Sequence, residues 1–221
     1  MTRGKKISRK ELLKKPDEFI TLSTRIVNLI TANLQKTILI GSGGVLLAAA
    51  YFGYSAYQNR QERLAHEKYF SVIELPDIET RIKKLEEIGK EFSGTKGGFD
   101  AQVATGHLYY QKKDFPKAVA AYQGALNKGN FPPAFRPLIQ ESLAYALEQK
   151  GDLQQAAATF SEIAQGKENF LKEDVLLSLA RVYEKLNKSQ EAKSTYQTFL
   201  KSFPKSIYAP LVKERLVKFE K

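Results

Sequence analysis

The sequence predicts an all-α chain in which a single N-terminal transmembrane helix precedes a helical-repeat α-solenoid. Three observations carry this. The stretch TILIGSGGVLLAAAYFGYSAY, residues 37–57, has no charge in a chain that is 27% charged. After Tyr57 apolar residues recur at three- and four-residue steps, with no strand-like alternation. Three stretches of that later region also repeat one another.

The first 36 residues form a basic tail. They hold nine Lys/Arg (Arg3, Lys5, Lys6, Arg9, Lys10, Lys14, Lys15, Arg25, Lys36) against Glu11, Asp17 and Glu18, a net of +6 of the chain's +11. The remaining +5 is spread over the residues after Tyr57, which argues against a nucleic-acid groove. Ser8-x-x-Glu11 has the form of a capping box before a short helix that Pro16 ends. Pro16, Asp17 and Glu18 then suit the first turn of a second helix. In it Phe19, Leu22, Ile26, Ile30 and Leu34 fall on one face, as in a helix that lies at a membrane surface or packs against a partner.

Residues 37–57 suit a bilayer. At about 1.5 Å per residue they span about 30 Å, the hydrocarbon thickness. A Lys or Arg at the centre would cost about 3 kcal/mol, and none is present. Tyr51, Phe52, Tyr54 and Tyr57 gather at one end, as interfacial aromatics do. The glycines Gly41, Gly43 and Gly44 lack the Lys-Ser/Thr of a phosphate loop. Ala48-Ala49-Ala50 imitates a cleavage site, but the apolar run begins too late and is too long for a signal peptide. Gly41, Gly44, Ala48 and Ser55 share a small-residue face suited to close contact with another helix. The tail's nine basic residues favour tail inside and domain outside, although Arg60, Arg63 and Lys68 just past the span outnumber Arg25 and Lys36 before it.

Residues 58–75 are expected to continue the membrane helix outward until Pro76. Beyond it, residues 103–126, 142–164 and 178–200 align without gaps. A small residue and a larger one in the first helix (Gly106 and Tyr109, Ala144 and Leu147, Ala180 and Tyr183) precede three positions in the second. Those are Ala118, Tyr122 and Ala125, then Ala156, Phe160 and Ile163, then Ala192, Tyr196 and Phe199. Small residues let two helices approach, and aromatics fill the gap to the next pair. Gly151-Asp152 and Asn187 mark turns between paired helices. The pattern resembles the tetratricopeptide repeat, without its signature Trp and at spacings of 38 and 36 residues. The fold expected is thus a tetratricopeptide-repeat α-solenoid. Residues 78–95 resemble a degenerate second helix with Arg81 at the small position, and residues 205–221 a charged capping helix. The expected segments are 1–36 tail, 37–57 span, 58–98 connecting helix and degenerate unit, 99–204 three repeats, and 205–221 cap.

No catalytic pattern accompanies the repeats. His66 and His107 lie on different helices, the acids are scattered, and zero cysteines exclude disulfides and thiolate metal sites. The expectation is a non-enzyme with no cofactor and no metal. The resemblance implies a protein-binding groove lined by fixed positions of each first helix: Val103, His107 and Tyr110, then Glu141, Tyr145 and Glu148, then Leu177, Arg181 and Glu184. Relatives that clamp a terminal carboxylate use Asn and Lys where His107, Tyr145 and Arg181 stand, so that specificity does not carry over.

The whole layout is similar to the ancillary SecYEG translocon subunit family of bacterial inner membranes. That resemblance implies an inner-membrane adaptor with a cytoplasmic N-terminus and a periplasmic C-terminal domain. Its partners would be translocon components, chaperones or exported polypeptides. The alternative is a structural scaffold that forms a homo-oligomer through its membrane helix.

Overall fold

The computed structural model describes residues 18–128, 131–166 and 170–219. The expected capping box at Ser8 and the helix ending at Pro16 lie outside them. Every regular element among the described residues is helical. The chain divides into two compact units between Tyr57 and Gln58.

The first unit contains α1 (Glu18–Ala32) and the opening part of α2 (Leu34–Ile73). The large apolar side chains from Ile38 to Tyr57 are 58–75% exposed. Such a surface is out of scale for a water-facing helix, since soluble monomers rarely expose large contiguous apolar patches. α2 is long and apolar enough to cross a membrane, with a mean hydropathy of 1.5 over its most apolar window. Two hydroxyls of its apolar run bond to its own turns: Thr37 Oγ1 donates to the Asn33 carbonyl at 3.1 Å and Ser42 Oγ to that of Leu39 at 3.0 Å. A Cβ at Gly41 or Gly44 would meet nothing within 4 Å, so the small-residue face is uncovered.

The second unit begins within α2 and continues as α3 (Ile78–Glu91), three helical hairpins and a closing helix. The hairpins are α4–α5 (Lys96–Gln111, Phe115–Lys128), α6–α7 (Arg136–Lys150, Leu153–Gln165) and α8–α9 (Lys172–Lys185, Ser189–Ser202), and α10 spans Ala209–Val217. A short 3₁₀ turn, Pro133–Phe135, precedes α6. Each helix from α3 to α10 packs on the next in sequence.

The repeated positions explain the packing. Ala118, Ala144, Ala156, Ala180 and Ala192 are 0% exposed, and Tyr122, Phe160 and Tyr196 are buried against them. At the position where the other repeats have Ala144 and Ala180, the first has Gly106, because a Cβ there would stand 2.6 Å from the Tyr122 ring. Burying each such aromatic against alanine removes a few kcal/mol worth of apolar surface from water.

The three hairpin turns are alike in backbone. Lys113, Gly151 and Asn187 all have positive φ, at 63°, 94° and 58°. The next residue's N–H (Asp114, Asp152, Lys188) returns to the carbonyl of Tyr109, Leu147 or Tyr183, each at 2.9 Å. This is a Schellman close, which satisfies carbonyls that the helix end would otherwise orphan. That same residue's carbonyl then accepts the N–H of Ala118, Ala156 or Ala192 at 3.0 Å, starting the second helix.

Ahead of the first hairpin, the end of α2 and α3 form a further pair. Ala65 and Val72 pack with Leu85, Ile88, Phe92 and Ala101. Asp77 caps α3 by accepting from Thr80 N at 2.7 Å, and Thr95 caps α4 by accepting from Gly98 N at 3.0 Å. Glu62 adds a second cap on α4, accepting from Lys96 N at 2.9–3.0 Å. Arg81 takes the place of the small residue, and its Nε is buried without a hydrogen-bond partner. At the other end Val212 of α10 covers Leu176, Ala180, Tyr196 and Phe199.

Candidate functional site

The first helices α4, α6 and α8 together present one face, and the nine residues expected there divide into two groups. From Tyr145 onward the side chains are satisfied within the fold. Tyr145 stands edge-on to Phe160 at 5.2 Å between centroids, with its hydroxyl 2.9 Å from Ser178 Oγ. Glu148, expected to face a ligand, is instead buried: its side chain is 1% exposed. It accepts from Arg181 Nε at 3.0 Å, Arg181 Nη2 at 2.8 Å and Lys185 Nζ at 2.8 Å. Burial pushes the Glu148 carboxyl up, but the hydrogen bonds from Arg181 and Lys185 outweigh it and hold it below the ordinary carboxylate value.

Arg181 lies with its guanidinium 6.0 Å from the Tyr145 ring centre, and its pairing with Glu148 raises its own pKa. Glu184 accepts from the Tyr196 hydroxyl at 3.1 Å and from Arg215 at 3.2 Å. Burial and Glu184 together push Tyr196 up to about 12. Leu177 packs into the core beneath α10. Tyr110 belongs to the first hairpin but is likewise internal, edge-on to Phe115 at 5.5 Å.

Val103, His107 and Glu141 form the second group, brought together in an open pocket of about 450 Å³ between α4 and α6. Tyr69, Phe99, Asp100, Phe135 and Leu138, none of them expected from sequence, complete it. His107 Nδ1 meets the Tyr122 hydroxyl at 2.8 Å, and desolvation lowers the imidazole pKa. Among the described residues neither Asp100 nor Glu141 makes a hydrogen bond or ion pair. Burial raises the Asp100 carboxyl; His66 opposes the rise and Glu62 adds to it. Burial raises Glu141 too, with Asp174 adding to it. The pocket is therefore apolar and aromatic in its walls and carries two carboxyl groups with no Lys or Arg beside them.

A smaller pocket of about 220 Å³ lies on the second-helix side, lined by Glu86, Gln102, Tyr109, Lys117 and Gly124 among others. No group of three His, Cys, Asp or Glu side chains suited to a metal occurs among the described residues. The pocket residues missed from sequence come from outside the repeat register: Tyr69 precedes the aligned units, and Phe135 and Leu138 sit at the entry to α6. Only the half-buried Asp100, one helical turn before Val103, lay within reach of the repeat alignment.

The tetratricopeptide repeat-like domain family matches residues 32–221, which takes in the apolar helix as well as the repeats. A tetratricopeptide repeat protein from Parabacteroides merdae ATCC 43184 is similar in structure, with a TM-score of 0.58 and 17% identity over 73% of this chain. The match spans 60% of the Parabacteroides protein's length. A Podosopora anserina protein with nearly identical TPR-like repeats gives a TM-score of 0.53 and 16% identity, over 74% of this chain and 85% of that one. At these identities the likeness concerns fold alone. A comparison with curated protein sequences returned no match. Repeats of this kind indicate a role in protein–protein interaction, on a fold that is typically non-catalytic. With its three paired-helix units, shared turn geometry and match over residues 32–221, the chain belongs to the tetratricopeptide repeat-like domain family.

Proposed function

We propose that the protein is a membrane-anchored adaptor of the bacterial cell envelope. It sits in the inner membrane through α2, with its N-terminus cytoplasmic and residues 58–221 periplasmic, and binds translocon components, chaperones or exported polypeptides. The observation that carries this reading is the open pocket between α4 and α6, set in the face that the family's first helices supply for ligands. The exposed apolar surface of residues 38–57 supports the anchor, and the tail's nine basic residues support its direction. Protease added to intact and to osmotically opened cells tests the address: residues 58–221 should be cut only once the outer barrier is opened. A photoreactive amino acid at the exposed, pocket-lining His107 then tests the adaptor role in living cells. Adducts with envelope proteins or exported chains support it, and their absence overturns it.

A scaffold role has one observation of its own, the uncovered face of Gly41, Gly44 and Ala48. The chain has no cysteine, so Gly44→Cys gives a clean probe. Rapid disulfide formation between copies in membranes favours a homo-oligomer, and only monomers removes it.

A further inference from the structure

We propose that the pocket between α4 and α6 takes an arginine side chain from a partner polypeptide, flanked by apolar residues. This rests on the adaptor reading and names the chemistry of its ligand.

The argument starts from what the same face does one repeat further along. There a buried carboxylate, Glu148, is met by an arginine of the chain itself, which grips both carboxylate oxygens and leans on the ring of Tyr145. Between α4 and α6 the acceptors are present and no arginine or lysine grips them. Asp100 and Glu141 stand half-buried beside Tyr69, Phe99 and Phe135, and no Lys or Arg lines the pocket. The nearest arginine by sequence, Arg136, stacks on Phe131 at 5.3 Å, on the ring that itself stacks on Phe99 at 4.5 Å. Each carboxylate is half-buried and has an acidic neighbour, Glu62 beside Asp100 and Asp174 beside Glu141, so a bound cation gains more there than at the open surface. Aromatic walls favour a planar guanidinium over a compact ammonium. The apolar floor calls for apolar neighbours on the same peptide.

Net charge does not create this preference. The chain is strongly basic, at +11, so its overall field repels basic peptides, and any preference for them arises locally.

The test uses the full-length protein in a non-ionic detergent, which removes anionic lipid as a competitor. The probes are three fluorescein-labelled twelve-residue peptides of equal length and equal Leu content, carrying Arg, Gln or Glu at the polar positions. Fluorescence anisotropy at about 0.15 M salt, where the Debye length is about 8 Å, keeps long-range attraction small. The Arg peptide should bind at least tenfold more tightly than the Gln peptide, and the Glu peptide least. Asp100→Asn with Glu141→Gln should abolish the Arg preference and leave Gln-peptide binding unchanged; each single variant should lose part of it. Glu148→Gln, outside the pocket, should keep it. Equal binding of the three peptides, or a preference that survives in the double variant, overturns the inference. If adducts form at His107 in cells while the charge preference is missing, this inference fails and the adaptor reading stands. If neither is found, both fail.

Discussion

Between α6 and α8, Glu148 is sunk into the fold and held by two cations from the next repeat; between α4 and α6, Asp100 and Glu141 are half-buried and no Lys or Arg lines their pocket. The same face, built by the same helical hairpin, thus treats its carboxylates in opposite ways. The difference separates stability from recognition. A charge that the fold neutralises ties one repeat to the next, whereas a charge left alone weakens the fold slightly and remains available to a partner. Carboxylates at ligand-facing positions therefore do not form one functional class, and only their cations distinguish them.

The sharpest way to break the comparison is to give the paired end the character of the open one. Arg181→Ala with Lys185→Ala strands the Glu148 carboxylate in a site it cannot leave. The expected loss is about 3 kcal/mol, at the low end for a buried charge deprived of its partners because both cations are half exposed. In a chain of this size that lowers Tm by roughly 10 °C, read by circular dichroism. Adding Glu148→Gln should recover much of the loss. If it recovers nothing, the damage came from the lost stems of Arg181 and Lys185, and the charge argument is wrong.

Next in size is the packing beneath each end. Ala144 and Ala180 fit under the paired repeats, but a Cβ at Gly106 would lie 2.6 Å from the Tyr122 ring. Gly106→Ala should cost roughly 1–3 kcal/mol by overpacking. It should also displace the Tyr122 hydroxyl from His107 and deform the open pocket, so Arg-peptide binding falls with stability. Gly124→Ala is the matched control on α5. Its Cβ meets only Gln102 Oε1, at 4.0 Å, so the gain in helix propensity, up to about 1 kcal/mol, should dominate. Equal losses from the two substitutions would contradict this account.

The repeat register was legible because it is a packing code. Ala118, Ala156 and Ala192 recur at a fixed four-residue distance from Tyr122, Phe160 and Tyr196, and all six are buried. The turns were legible at Gly151 and Asn187, residue types that tolerate positive φ, and hidden at Lys113, which adopts the same conformation because the hairpin imposes it. The site was half legible. Alignment to the resembled repeat picks out Val103, His107 and Glu141, which the fold brings to one pocket. The alignment says nothing of whether Glu148 meets a cation 33 residues later, because that depends on the register between neighbouring helices. Tyr69 escaped for a similar reason: it reaches the pocket from α2, before the first aligned repeat.

A smaller effect follows from the opposite pKa directions at the two ends. A carboxyl whose folded pKa is raised burdens the fold when ionised, and that burden lifts as pH falls through the folded value. Asp100 and Glu141, raised from 3.8 and 4.5, should therefore yield stability on acidification from neutrality toward about pH 4. Glu148, lowered from 4.5, contributes stability that is complete above that value and lost as pH falls through its folded pKa. His107, lowered from 6.5, opposes the first gain, so the comparison must be a difference between proteins. Asp100→Asn with Glu141→Gln should melt above the wild type at pH 7, and the gap should close near pH 4. Glu148→Gln should flatten only the loss below pH 4.5. A gap that stays constant with pH would show that the open carboxylates carry no burden.

The smallest expected effect concerns Tyr145, at the paired end. Its ring packs on Phe160 and carries Arg181, while its hydroxyl meets only Ser178. Tyr145→Phe keeps the ring and removes one neutral hydrogen bond, which is worth about 1 kcal/mol when its partner is left unsatisfied. Ser178 is buried but helical, so its hydroxyl can turn to the carbonyl one turn back, and the loss should be nearer to roughly 0.5 kcal/mol. Arg181 and Glu148 should keep their geometry, because ring stacking and the paired hydrogen bonds hold them without the phenol. A double-mutant cycle of Tyr145→Phe against Arg181→Lys measures this. Near-additive losses mean that the paired end is held by charge and packing; strong coupling would make the phenol part of the ionic network and move the boundary between the two ends to Tyr145 itself.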